Sequence, residues 1–346
     1  RYGRRFRQKP AISSLCHPSP THRDGRSSNL VSPDPFPGLP SSRSITMSRP
    51  LALLILSDGK PGHRNQSLGL AEALARQVPA HHRVIELPAL PRGKKILQAL
   101  RIARENAPDW IIATGHGTHL AALVLSRLLH CRSIILMKPS WPTALFDACL
   151  IPHHDLIGKS TGRNIISTTG ALNRITATRE KLAKGLILIG GDSREFTCEP
   201  DALRDAISHI VKDDSIDWHV TDSRRSPAGF LASLAHLPIT LHPHQTTGPD
   251  WLPQQLGESR IAWVTCDSVS MIYESLSSGA HVGLLPMKPL QPASKIQNAI
   301  AQLERDGRVT TLSDFRQTGS MKTSAPLAEA DRCAKILLEK FPPFSK

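Results

Sequence analysis

Residues 51–63 carry the sequence LALLILSDGKPGH, an apolar run that ends in a glycine-containing turn. The run at 51–56 has no polar residue, as expected of a strand that is buried on both faces of a parallel sheet. A helical pattern follows at 67–74. The stretch therefore predicts a strand–turn–helix unit, with its glycine turn at the carboxyl end of the strand, where such sheets bind ligands.

The same alternation continues outward from this unit, with a break near residues 174–184. Before the break, apolar runs predict further strands near 83–87, 110–113, 133–137, 150–151 and 165–166. After the break, Gly185 opens a second series, with strands near 186–189, 218–221, 239–241, 261–265 and 282–285. Strands that alternate with helices form parallel sheets. We therefore predict an α/β protein with two Rossmann-like domains that face a cleft, at 47–178 and 179–346.

The first 46 residues differ in composition from the rest. They hold seven prolines and nine serines and show almost no apolar periodicity. Such a segment buries too little surface to offset its ordering entropy, which predicts a disordered extension. Met47 is then the expected natural start. A targeting peptide is the alternative, which we favour less because the segment lacks an amphipathic helical stripe.

The net charge of the chain is +14, and residues 1–46 contribute to it with eight basic and two acidic residues. A basic body suits an anionic small molecule, an anionic membrane surface or nucleic acid, and it also fits an ordinary solvated surface. The apolar runs are far shorter than the roughly 18 residues of a spanning helix. The six cysteines are scattered, without a C-x-x-C pair, which favours a reduced compartment. We expect a cytoplasmic protein, with peripheral membrane contact as an option.

The turns of the first domain combine glycines with polar and titratable side chains. Glycines let the backbone approach a ligand, and the helix that follows presents N–H groups to anions. His63 and Asp58 are the candidate catalytic residues, and a plain strand–helix turn is the alternative interpretation. His116 and His119, or the cluster at 153–155, lack an evident third ligand, so we predict no metal and no cofactor. The candidate ligand-binding residues here are Gly59, Lys60, Gly62, Asn65, Gln66, Gly115, His116, Thr118 and Lys138.

The second domain repeats this chemistry with more charge. Two guanidinium groups follow one strand, in a position suited to phosphate. A carboxylate one turn into a later helix could accept hydrogen bonds from both hydroxyls of a ribose, or it could be a surface glutamate. The candidate ligand-binding residues here are Gly190, Gly191, Ser223, Arg224, Arg225, Ser268, Ser270 and Glu274.

Six strings in order resemble the "mitochondrial fission, elongated mitochondria" family, which plants and many proteobacteria share. They are LSDGKPGHRNQS at 56–67, GHGTH at 115–119, LMKPS at 136–140, GALN at 170–173, SRRSP at 223–227 and VTCDSVSM at 264–271. The resemblance covers about residues 47–340. The plant member is described as an outer-surface adaptor that recruits a dynamin-related protein to mitochondria, so the resemblance implies a non-catalytic adaptor as one function.

A more distant resemblance concerns chemistry. Gly59, Gly62 and His63 look like the Gly-x-x-Gly-His loop of the lipid-II-forming N-acetylglucosaminyltransferase and its relatives, and residues 268–279 look like their nucleotide-binding helix. This similarity implies a GT-B glycosyltransferase-like fold, with Glu274 on the ribose of a nucleotide sugar and His63 as a general base or phosphate contact. The second glycine-rich loop departs from their pattern because it is short.

The sequence therefore leaves two alternative functions open. One is a metal-independent glycosyltransferase whose partner is a nucleotide-diphosphate sugar or another anionic small molecule, with sugar-nucleotide epimerisation less expected. The other is an adaptor that binds a partner protein or a membrane surface. No recognised nucleic-acid-binding motif is present, so we expect no nucleic-acid partner.

Overall fold

The computed structural model describes residues 49–87, 92–156, 162–291 and 294–343. The predicted extension at 1–46 and the predicted start at Met47 lie outside the described residues. None of the described helices has the length and apolar composition needed to cross a bilayer.

The first half is a six-stranded parallel sheet with the strand order β2-β1-β3-β4-β5-β6. Successive residues of β1 enter different cores, because the side chains of a strand alternate between the two faces of the sheet. The strands are β1 Leu51–Ser57, β2 Ala80–Glu86, β3 Trp110–Thr114, β4 Arg132–Leu136, β5 Ala148–Pro152 and β6 Ile165–Thr168. The helices between them are α1 Pro61–Gln77, α2 Arg92–Glu105 and α3 His116–Leu128.

The second half is a separate six-stranded parallel sheet with the order β10-β9-β7-β11-β12-β14, beside a short antiparallel pair of β8 and β13. Its strands are β7 Leu182–Leu188, β8 Phe196–Thr197, β9 Asp217–Thr221, β10 Thr240–His242, β11 Ser259–Thr265, β12 His281–Leu285, β13 Lys288–Pro289 and β14 Val309–Thr311. Its helices are α4 Pro200–Ile210, α5 Phe230–Ser233, α6 Trp251–Glu258, α7 Val269–Ser278, α8 Lys295–Arg305, α9 Leu312–Thr318 and α10 Glu329–Lys340.

These two parallel sheets confirm the predicted α/β class with two Rossmann-like halves. The halves meet at the carboxyl ends of their strands. Asn65 of α1 hydrogen-bonds Glu274 of α7, and Gly170, just after β6, lies against the ring of Tyr273. The predicted cleft therefore has α1 and the β6 end on one side and α7 on the other.

Two predicted turns are shorter than the sequence pattern indicated. Pro61 takes the first position of α1, where its fixed φ suits a helix and its missing N–H costs no hydrogen bond, so Gly62 and His63 are helical. In the second turn, at Gly115–His119, only Gly115 precedes the helix. Its φ is +92°, and α3 begins at His116. The helices therefore include five of the predicted loop ligands: Gly62, Asn65 and Gln66 in α1, and His116 and Thr118 in α3. Between β9 and β10 the described chain forms only the short α5.

Helix α10 crosses back from the second half to the first. It packs on α1, and its residues Cys333, Ala334 and Leu337 are buried in the same core as Leu53 of β1. The boundary at residues 178 and 179 stays a prediction, and the return of α10 ties the end of the described chain to the first sheet.

Candidate functional site

Asp58 and His63 form a hydrogen-bonded pair at the carboxyl end of β1. The Nδ1 atom of His63 lies 3.0 Å from both carboxylate oxygens of Asp58, and both side chains are largely buried. An ionised carboxylate only accepts hydrogen bonds, so Nδ1 is the donor and the neutral ring keeps its lone pair on Nε2. This arrangement orients an imidazole for proton transfer at Nε2.

Gly115 makes room for this pair. A Cβ atom at Gly115 would lie 2.5 Å from His63 Nδ1 and 2.7 Å from Asp58 Oδ2. Its backbone, at φ +92°, is also one that side-chain-bearing residues rarely adopt. Thr118 stabilises the turn, since its hydroxyl donates a 2.7 Å hydrogen bond to the Gly115 carbonyl. The role of Gly115 is therefore packing against the pair, and that of Thr118 is local support.

Two more histidines follow on α3. His116 hydrogen-bonds Ser140, which comes just after β4. The ring of His119 lies 5.7 Å from that of His116, is almost fully buried, and has no hydrogen-bond partner on either nitrogen among the described residues. Burial, with the charges of His116 and His63, lowers the pKa of His119 to about 4. His119 is therefore neutral at pH 7.

Other predicted ligands of the first half differ in their contacts. Lys60 is exposed, with Nζ 3.9 Å from Asp58 Oδ2, and Gln66 donates to the sulfur of Met137 at 3.6 Å. Lys138 is exposed on the segment after β4. Open space surrounds the Cβ position of Gly59, so a ligand could approach its backbone.

In the second half, Asp267 occupies the predicted anion turn. Its buried carboxylate accepts a hydrogen bond from the Gly191 N–H at 3.2 Å and pairs with Arg225 at 2.7 Å. A Cβ at Gly190 would lie 2.3 Å from the same carboxylate. The glycines thus accommodate an internal anion, and the Gly191 amide and Arg225 are already engaged. The sequence prediction did not include Asp267 as a site residue, although its place two residues after the predicted strand at 261–265 is a typical position for one.

The neighbours of Arg225 differ in their contacts. Ser223 is held in the loop by hydrogen bonds with Ser226. Arg224 is exposed, and within the described parts of the chain its guanidinium makes no hydrogen bond or ion pair. Of the two predicted guanidinium groups, Arg224 is the one available to an incoming anion.

Glu274 is a buried carboxylate on the second half's side of the cleft. It accepts a 2.9 Å hydrogen bond from Asn65 Nδ2 and a further one from Ser270. Burial raises its pKa to about 7, although both hydrogen bonds favour the charged form. Ser268 takes the N-cap position of the same helix. The structure thus brings Asn65, Ser270 and Glu274 together.

A cavity of about 470 Å³ lies on the Tyr273 side of α7. His153 and His154, Gly170 and the α8 residues Asn298 and Gln302 line it. His153 and His154, from the cluster at 153–155 in which the sequence shows no third metal ligand, therefore line this cavity. No group of three or more His, Cys, Asp or Glu side chains in the described ranges is arranged to hold a metal ion.

Comparison with known proteins gives one family and several relatives of the fold. The family model described as Mitochondrial fission ELM1 matches residues 61–341. An uncharacterized protein of Rickettsia prowazekii (strain Madrid E) is 23% identical over 288 residues, covering 65% of this chain and 80% of the relative. Among solved structures, the chain is similar to MurG of Acinetobacter baumannii (13% identity, TM-score 0.47, 84% of this chain and 100% of that one). It is also similar to the E. coli heptosyltransferase WaaC with ADP (11% identity, TM-score 0.47, 84% and 100%).

Proposed function

This chain belongs to the mitochondrial fission ELM1 family, and from that premise we propose that it binds a nucleotide-diphosphate sugar between its halves and transfers the glycosyl group without a metal ion. The family resemblance predicted from the sequence is confirmed. Family membership does not define a reaction, so the proposal depends on the chemistry of the cleft.

The observation that carries the proposal is the Glu274 carboxylate. It is buried at the junction of the halves and hydrogen-bonded by Asn65. A carboxylate can accept hydrogen bonds from two neighbouring hydroxyls, as a ribose presents them. A bound ribose would either replace the Asn65 amide or share the carboxylate with it. Ribose binding at this point would therefore engage both halves.

The Asp58–His63 pair supplies the proton chemistry of the proposed transfer. His63 Nε2 would take the proton of an acceptor hydroxyl while the acceptor oxygen attacks the anomeric carbon. The bond from that carbon to the diphosphate breaks, and the diphosphate leaves with the electron pair. Arg224, Lys60 and the N–H groups at the start of α7 could offset the charge that develops on the diphosphate.

Calorimetry with UDP-, GDP- and ADP-sugars tests the proposal. At least one should bind the wild type, and Glu274→Ala should remove that binding. His63→Ala should leave binding largely intact and abolish turnover, because its role is in the chemical step. Exposed Glu180, changed to alanine, is the control and should bind as the wild type does. Absence of binding by every nucleotide at millimolar concentration would overturn the proposal.

The family match supports a second candidate, an adaptor that keeps the fold without turnover. Its discriminating test is the cellular phenotype of the Glu274→Ala and His63→Ala variants. An adaptor should tolerate both changes as long as the protein folds, whereas an enzyme should not. Thermal unfolding of each purified variant checks the folding condition.

A further inference from the structure

Helix α2 presents a basic outer face with a leucine at its centre. Lys94, Leu97, Arg101 and Arg104 are three or four residues apart, so they share one side of the helix. All four are exposed, and Leu97 keeps 69% of its surface in solvent. Residues 92–105 contain five basic residues and one acidic residue, Glu105 at the end. We call Lys94, Leu97, Arg101 and Arg104 the α2 face.

The inner side of the same helix is already used. Ala99 and Ala103 are fully buried in the core beneath the first sheet, next to Leu125 of α3. Arg83 of β2 donates hydrogen bonds to the carbonyls of Ile102 and Asn106, so its charge is engaged at the end of the helix. The α2 face is therefore the solvent-exposed side of this helix.

We infer that the α2 face is a docking surface for an anionic lipid bilayer. Basic side chains close to an anionic bilayer are attracted to its headgroups, and an exposed apolar side chain among them can reach the acyl boundary. Lys94, Arg101 and Arg104 provide charge complementary to anionic headgroups, and their aliphatic stems can extend alongside Leu97. Nucleic acid could also pair with the three cations, but its phosphates form no favourable contact with a leucine at the centre of the face. A lipid surface is therefore the better match for the α2 face.

The position of α2 relates this surface to the candidate site. Strands β1 and β2 are parallel and end together, with Ser57 paired to Glu86. Helix α2 follows β2, so it begins near the strand ends that carry Asp58. Lys94 and Leu97 belong to its first half. A bilayer on the α2 face would therefore lie beside the cleft edge of the first sheet, and this inference holds whether or not the cleft binds a nucleotide sugar.

The test is co-sedimentation of the full chain with vesicles of phosphatidylcholine alone or with added phosphatidylglycerol. We expect binding only to the anionic vesicles, weakened by salt. The triple variant Lys94→Ala, Arg101→Ala, Arg104→Ala should bind about 100-fold more weakly, at about fivefold for each cation. Leu97→Ser should lose about tenfold, with the same salt dependence as the wild type.

A matched control removes three exposed cations from other surfaces: Lys212, Arg316 and Lys335, each changed to alanine. It has the same net charge as the triple variant and should bind anionic vesicles nearly as well as the wild type. Equal losses in the two triple variants would show that net charge alone acts, and would overturn the inference. So would an unchanged Leu97→Ser variant, or binding to duplex DNA without binding to vesicles.

Discussion

Asn65 donates a 2.9 Å hydrogen bond to Glu274, and this contact joins α1 of the first half to α7 of the second. The acceptor is a carboxylate whose pKa burial raises to about 7. A group of this kind is charged only part of the time near neutral pH. The free energy of unfolding should therefore depend on pH through Glu274, and the raised pKa determines the sign of that dependence.

The first prediction is that Glu274→Gln stabilises the protein at high pH. A glutamate in the unfolded chain has a pKa of 4.5 and the folded value is about 7, so between these values the unfolded chain loses its proton first and stability falls as pH rises. The penalty reaches about 3 kcal/mol by pH 8. Glutamine keeps an acceptor for Asn65 without the charge. Urea unfolding should show the variant more stable by up to that amount at pH 8 and equal to the wild type at pH 4.

The control for this experiment is Glu180→Gln, an exposed glutamate. Its unfolding free energy should follow the wild-type curve at every pH. If the Glu274→Gln curve also ran parallel to the wild type from pH 4 to pH 8, Glu274 would have an ordinary pKa and the burial argument would fail.

The second prediction concerns Gly115 and its neighbour Gly117. Alanine at Gly115 would place a Cβ 2.5 Å from His63 Nδ1 at φ +92°, and we expect a loss of about 2–4 kcal/mol from backbone strain and overlap. Alanine at Gly117, where the nearest atom is Asp58 Cβ at 3.9 Å, should be neutral or stabilising by up to about 1 kcal/mol. Thermal unfolding of the two variants measures both, and equal melting temperatures would contradict the role given to Gly115.

The sequence predicted the elements far better than the contacts between distant elements. The apolar run at 51–56 predicts β1 because a strand buried on both faces leaves a local signature. The return of Leu337 and its helix to the core of the first sheet leaves no such signature, because an apolar helical face does not specify which sheet covers it. Gly191 shows the same limit within the site. Its turn was predicted to face a ligand, and only the tertiary structure places Asp267 there.

The third prediction separates the two adjacent arginines. Arg225 pairs with the buried Asp267 but is itself 42% exposed, so Arg225→Met leaves a buried charge without this partner and should cost about 1–3 kcal/mol. Adding Asp267→Asn to that variant should recover much of the loss, because the charge is then gone as well. Arg224→Met should change stability by less than about 0.5 kcal/mol, since Arg224 is exposed. A double-mutant cycle by urea unfolding measures the coupling, and strictly additive losses would refute it.

The last prediction is that His119 weakens the protein in mild acid. A histidine in the unfolded chain has a pKa of 6.5 and burial lowers the folded value to about 4, so between these values the unfolded chain takes up a proton first and stability falls with falling pH. The loss is about 2 kcal/mol at pH 5. His119→Phe keeps a ring of similar size beside Phe146 and cannot bind a proton. Its stability should therefore fall less than that of the wild type from pH 7 to pH 5. The exposed His236, changed to phenylalanine, should leave the wild-type dependence intact, and the same slope in the His119→Phe variant would contradict the prediction.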